Sequence, residues 1–286
     1  MPPRDSLSEN IKQPVRQAAS HPWIERLARL GYAAKGLVYF IVGLLAAQAA
    51  FSTGGQTTNT SGALEAILTQ PFGKFLLSIV TLGLIGYAFW RLVQTILDPE
   101  HSGQKMNAKR IANRLGYAFS AIAYFSLAFT AVKLIIMGSG SGDSDSVEDW
   151  TIYFLGQPFG RWLVMLAGLT AIGIGMSYLY EAYKGKFRRY LKLYEMNPTE
   201  QIWAVCLGRF GIAARGIVFG IIGIFLMLAA IQLDGTQARG LGGALATLAR
   251  QPFGFGILGI VALGLIAYGI YLLIVARYRH IGNFYR

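Results

Sequence analysis

Residues Arg29–Gly36 read RLGYAAKG, Arg114–Ala121 read RLGYAFSA and Arg209–Gly216 read RFGIAARG. Counted from these arginines, Gln-Pro-Phe-Gly follows after 41, 43 and 42 residues, at Gln70–Gly73, Gln157–Gly160 and Gln251–Gly254. A third anchor lies past each glutamine: GLIGY from Gly83 in the first copy and GLIAY from Gly264 in the third. The second copy has drifted there and carries Thr170 at the first of these positions. Three anchors in constant order at near-constant spacing identify three tandem copies of one unit.

The intervals between the anchors are continuous apolar runs rather than amphipathic stripes, the pattern of elements surrounded by a nonpolar medium. Six runs reach the roughly 20 residues that a bilayer-spanning helix needs. They lie at about Leu30–Phe51, Gly73–Leu97, Leu115–Met137, Arg161–Tyr183, Leu207–Ile231 and Phe253–Ala276. Composition agrees, with 54% hydrophobic and only 14% charged residues in a chain of 286, against about a quarter charged in an ordinary soluble domain. The expected fold is an all-α membrane protein of six transmembrane helices. Three tandem two-helix repeats would be related by pseudo-threefold symmetry. The divisions are a polar tail over 1–25 and repeats over 26–100, 109–196 and 203–280.

Each unit carries a short apolar segment before Gln-Pro-Phe-Gly, such as Gly62-Ala-Leu-Glu-Ala-Ile-Leu in the first copy. Leu64, Ile67 and Leu68 recur at helical spacing, which predicts a short amphipathic helix at the membrane interface before each motif. Pro71, Pro158 and Pro252 would stop that helix and suit the first turn of the returning one. Gly83-x-x-Gly86 and Gly216-x-x-x-Gly220, continuing to Gly223, read as close-packing faces.

The net charge of +12 is distributed by topology. Basic residues crowd the first tail (Arg4, Lys12, Arg16, Arg26, Arg29), the even connections and the C-terminal tail (Arg277, Arg279, Arg286). The first and third connections contain no Lys or Arg, and the fifth only Arg239 and Arg250. By the positive-inside rule both termini are expected in the cytoplasm. The charge excess is thereby explained without nucleic acid. Anionic lipids on the cytoplasmic side become the expected partners, with a membrane protein or a second copy as the protein partners to consider.

The repeat resembles the bacterial membrane family catalogued as domain of unknown function 1206. The resemblance rests on the Arg-x-Gly-x-Ala openings, the Gly-Ala-Leu segments at Gly62 and Gly243, the Gln-Pro-Phe-Gly strings and Arg277-Tyr-Arg. It covers roughly Arg26 to His280 and implies three tandem repeats in a bacterial membrane, here expected to be the plasma membrane, with no activity or site to carry over.

Candidate functional residues are few. Lys35 and Arg215 share a repeat position about six residues inside a helix, where a charge costs roughly 2.5–3.5 kcal/mol on insertion scales; Ser120 replaces them in the second copy. They snorkel to headgroups about 9 Å away, face the repeat axis as a positive constriction for anions, or pair structurally inside the bundle. Arg29, Arg114 and Arg209 recur at the cytoplasmic boundary, as membrane anchors or as a ring that binds lipid phosphates or closes a cytoplasmic mouth. Phe187, Tyr190, Leu191 and Tyr194, interleaved with Lys184, Arg188, Arg189 and Lys192, predict a basic amphipathic helix lying on an anionic leaflet. Cys206 is the single cysteine and the three histidines sit in separate polar segments, so neither a cofactor nor a metal is expected. Nucleophilic triads, phosphate loops and paired intramembrane acids are all missing from the sequence, which argues against an enzyme. The expected role is a non-enzymatic lipid- or partner-binding membrane module. The alternative is a small anion or solute transporter using Lys35 and Arg215.

Overall fold

The computed structural model describes residues 22–51, 57–97, 108–138 and 146–279. Six long helices carry the spans: α1 (Pro22–Ala50), α3 (Gly73–Leu97), α4 (Ala108–Met137), α6 (Gly160–Lys184), α7 (Pro198–Gln232) and α9 (Gly254–Tyr278). Three short helices precede the Gln-Pro-Phe-Gly strings, as expected: α2 (Thr60–Leu68), α5 (Ser146–Leu155) and α8 (Leu241–Ala249). A 25-residue helix such as α9 rises about 37 Å, enough for the ~30 Å hydrocarbon core. All six long helices are apolar enough to cross a membrane.

Helices α1, α4 and α7 begin earlier than their apolar runs, at Pro22, Ala108 and Pro198. An apolar run marks the lipid-facing length, whereas helicity continues wherever backbone hydrogen bonds can. In α7 the Asn197 N–H donates to the Glu200 carboxylate at 3.0 Å, capping the extension. Of the proposed tail over 1–25, residues 1–21 lie outside the described residues and Pro22–Glu25 already belong to α1.

The Gln-Pro-Phe-Gly strings differ from expectation in one respect. The returning helices start at Gly73, Gly160 and Gly254, so the prolines precede them. Each string is a closed four-residue turn in which the Gly N–H donates to the Gln carbonyl, at 2.8, 2.9 and 2.7 Å. Proline at the second position and a left-handed residue at the third is the type II pattern. Phe72, Phe159 and Phe253 take that third position with φ of 60°, 65° and 59°. Their rings, 80–85% exposed, point out at the end of the bundle.

The helices pack in the order α4–α3–α1–α9–α7–α6. This is the order of a three-hairpin ring, with repeat 3 closing onto repeat 1 through α9 and α1. The backbones approach through small residues. A β-carbon on Gly36 would stand 2.8 Å from the Gly269 carbonyl oxygen, and one on Gly216 would stand 2.9 Å from that of Gly175. The core is apolar and tyrosine-rich, with Tyr32, Tyr87, Leu77, Leu84, Leu258 and Leu265 fully enclosed.

The ring is open at repeat 2. Its two helices, α4 and α6, do not pack along each other, whereas α1 packs on α3 and α7 on α9. In repeat 1 a β-carbon on Gly31 would meet Tyr87 at 2.6 Å, and in repeat 3 one on Gly211 would meet Tyr268 at 2.5 Å; the equivalent Gly116 has nothing within 4 Å. The cause is in the residues. Gly83 closes on Ala34 and Gly264 on Ala214, with prospective β-carbon contacts of 2.5 and 2.3 Å. In repeat 2 those positions hold Thr170 and Phe119, too bulky for that approach, and Phe119 is 70% exposed.

The basic helix expected around Lys184–Met196 is not formed. Lys184 ends α6, and Gly185 turns left-handed at φ 65°. Arg188 and Arg189 then lie in a 3-10 turn (Lys186–Tyr190), and Lys192 precedes a second (Leu193–Glu195) and pairs with Glu195 at 3.1 Å. The apolar side chains that suggested a membrane face instead anchor the segment inward. Phe187 packs edge-on against Tyr271 at 5.5 Å, and Leu191 pairs with Arg279 at the end of α9. Burial of these two residues against protein outcompeted an interfacial helix.

Candidate functional site: a tyrosine cage around buried cations

Lys35 lies on the inner face of α1, 3% exposed. It does not snorkel. Its Nζ donates to the Tyr87 hydroxyl of α3 at 2.9 Å. It also stands 4.6 Å from the Tyr87 ring centre, 5.1 Å from that of Tyr124 on α4, and 6.0 Å from those of Tyr39 and Tyr268. Cation–π contacts of this kind are worth about 0.5–2 kcal/mol each, more when desolvated.

Arg215 on α7 enters the same cage from repeat 3. One terminal nitrogen donates to the Tyr268 hydroxyl at 2.6 Å. Its guanidinium lies 4.8–5.4 Å from the ring centres of Tyr178, Tyr268, Phe219 and Tyr39. Its Nε is buried with no hydrogen-bond partner. Tyr39 and Tyr268, themselves in edge-to-face contact at 5.0 Å, stand between the two cations.

A third cation, Arg91 on α3, was not among the sequence candidates. Its Nε donates to Tyr87 at 2.8 Å and a terminal nitrogen to Gln94 Oε1 at 2.9 Å. Its guanidinium also lies over the Tyr87 and Tyr117 rings, each at 5.0 Å. The Tyr87 hydroxyl thus receives both Lys35 and Arg91 and cannot neutralise either.

Two repeat positions supply most of the aromatic wall. Tyr39, Tyr124 and Phe219 each lie ten residues after the opening arginine, and Tyr87 and Tyr268 close the GLIGY and GLIAY strings. That recurrence was visible in sequence and could have flagged the cage. Arg91, four residues past Tyr87, has Tyr178 and Leu272 at its equivalent positions and carried no repeat signal.

No carboxylate among the described residues answers these charges. Among the described residues no Asp or Glu bonds to Lys35, Arg91 or Arg215, and the acids of the six long helices, Glu25, Glu181 and Glu200, all lie within three residues of a helix end. Buried charges without counter-charges are strongly unfavourable. Tyrosine faces and hydroxyls offset part of that, and an anion would offset the rest. The wall is weakest at repeat 2, where half-buried Tyr124 and Tyr178 stand on α4 and α6, the two helices between which the ring is open.

The opening arginines do not form a ring. Arg29 donates to the Ala276 carbonyl at 2.8 Å and to that of Arg277, at the end of α9, and is held by Glu25 at 2.7 Å. Arg114 donates to the Thr95 and Ile96 carbonyls at 2.6 and 3.1 Å, at the end of α3. Each caps the returning helix of the preceding repeat, where a cation also suits the helix dipole. Arg209 is exposed and does neither.

Comparison with known proteins agrees with the repeat. The family described as Domain of Unknown Function (DUF1206) matches residues 30–98, 115–185 and 210–279. The chain is 38% identical over 282 residues to Uncharacterized protein YxxB of Bacillus subtilis (strain 168), covering 97% of both chains. No solved structure matches.

Proposed function

Since the chain belongs to the DUF1206 family and its six helices form a membrane bundle, we propose that it is a non-enzymatic module that binds a phosphate-bearing anion in the tyrosine cage. The observation that carries this reading is the set of three cations, Lys35, Arg91 and Arg215, gathered without a carboxylate partner among the described residues. Lys35 and Arg91 each lie six residues from Arg29 and Leu97 respectively, so the cage is about 9 Å inside the terminus-bearing end of the bundle. That depth, together with the seam between α4 and α6, favours a lipid headgroup admitted sideways over a free ion. Permeation is less well supported, because the rings close around Lys35 instead of lining an open path.

The test is native mass spectrometry of protein released from phosphatidylcholine nanodiscs with and without phosphatidylglycerol, or with inorganic phosphate. Wild type should retain phosphatidylglycerol selectively. Lys35→Met and Arg215→Met should each weaken retention about tenfold or more, since a charge-assisted hydrogen bond contributes about 1.5–3 kcal/mol. Displacement by phosphate would assign the site to a free anion. Unchanged retention with a lowered melting temperature would show that the cations only hold the tyrosines together, and the proposal would fail.

The basic surface lies at the end bearing both termini, which supports a plasma-membrane protein with cytoplasmic termini. A fluorescent protein that matures only in the cytoplasm, fused after Arg286, should then be bright in bacterial cells. A dark, full-length fusion would reverse the orientation.

A further inference from the structure

Arg29 and Arg114 cap helix ends, and Arg209 has no helix end left to cap. The equivalent end is that of α6, which closes on itself: the Gly185 N–H donates to the Glu181 carbonyl from a left-handed turn. Released from that role, Arg209 bonds to nothing among the described residues and lies exposed beside Arg188. Their convergence is close. A β-carbon built on Gly185 would stand 3.5 Å from Arg209 Nη2 and 3.6 Å from Arg188 Cδ. Arg188 likewise has no side-chain partner among the described residues.

Both arginines line an open groove of about 1050 Å³ between α6 and α7, walled by Leu179, Phe210 and Ala213 inward of Arg209 and by Gln201, Val205 and Cys206 on its terminus side. None of its lining residues belongs to the tyrosine cage. A pair of unneutralised guanidiniums bordering an apolar wall matches one chemistry, an acidic headgroup joined to a hydrocarbon chain. The opening arginines mark the depth of the leaflet headgroups, so the stretch of the groove lined by Phe210, Ala213 and Leu179 runs from that level into the bilayer.

We propose that this groove is a second binding site, independent of the cage, for an acidic phospholipid. Arg188 and Arg209 hold its phosphate, and an acyl chain lies along Leu179, Phe210 and Ala213. Cys206, the chain's only cysteine, is exposed and lines the same groove, so it reports occupancy without further engineering.

The test is the rate of Cys206 alkylation by a maleimide in phosphatidylcholine nanodiscs, with phosphatidylglycerol or inorganic phosphate added. Phosphatidylglycerol should slow alkylation of wild type about tenfold, the scale set by two basic residues on one phosphate. Arg188→Gln/Arg209→Gln should keep the wild-type melting temperature and lose the slowing. Lys35→Met/Arg215→Met should keep the slowing, which separates this site from the cage whether or not the cage binds lipid. Slowing by phosphate alone, equal slowing in the Arg188/Arg209 variant, loss of slowing in the cage variant, or no slowing in wild type would each overturn the proposal.

Discussion

Gly160→Ala is expected to destabilise the protein by about 3 kcal/mol or more, among the largest effects of any single methyl group in the chain. A β-carbon there would lie 1.7 Å from the Phe154 carbonyl oxygen and 2.7 Å from its carbonyl carbon. The obstructing atoms belong to the backbone of α5, so no rotamer change relieves the contact. Gly73 and Gly254 stand in the same position, each with a prospective contact of 2.1 Å, to the Leu68 and Ala249 oxygens. The turn also holds Phe159 in a left-handed conformation, which already costs about 1–2 kcal/mol. There is little slack left to absorb a further strain. Thermal unfolding in a mild detergent measures the effect. Gly116→Ala is the control, because nothing lies within 4 Å of its prospective β-carbon and helix propensity favours alanine by up to ~1 kcal/mol. If Gly160→Ala melts with wild type, the close contact between α5 and α6 is not what makes the motif glycine.

The architecture was legible because its signals are long. A run such as Gly254–Tyr278 is apolar on every side, and a repeated Gln-Pro-Phe-Gly marks where the chain turns back. Even the break in the ring was written in sequence, as Thr170 at a position that is glycine in the other copies, although its meaning depends on Ala34 and Ala214 lying opposite. What was illegible depended on direction. Lys35 lies close enough to the boundary to snorkel, and only the packing of α1 against α3 and α9 turns it inward to Tyr87. Arg91 was invisible to a repeat argument because its equivalents are Tyr178 and Leu272. The segment after Lys184 had the spacing of an amphipathic helix, but Gly185 and the inward pull of Phe187 made it a strap. Spacing reports which residues share a face and is silent on whether that face meets lipid or protein.

Restoring small residues to repeat 2 should close the ring. In the Phe119→Ala/Thr170→Gly variant, α4 and α6 gain the Ala–Gly contact that joins α1 to α3 and α7 to α9. Gly116 would then approach Ile174 as Gly31 approaches Tyr87. Closure can be read directly in a Cys206→Ser background carrying Gly116→Cys and Ile174→Cys, since a disulfide needs Cα atoms about 4.4–6.8 Å apart. The bridge should form readily in the closed variant and poorly in the parent. With Tyr124 and Tyr178 drawn together, retention of phosphatidylglycerol by the cage should fall about tenfold or more, as excluding a phosphate from Lys35 and Arg215 removes charge-assisted bonds of about 1.5–3 kcal/mol. The melting temperature should rise, because small residues let the two backbones approach closely, which is what drives helix association in lipid. Efficient bridging in the parent would mean that α4 and α6 already meet. A bridged, stabilised variant that loads lipid like the parent would leave the seam a packing defect and require another route into the cage.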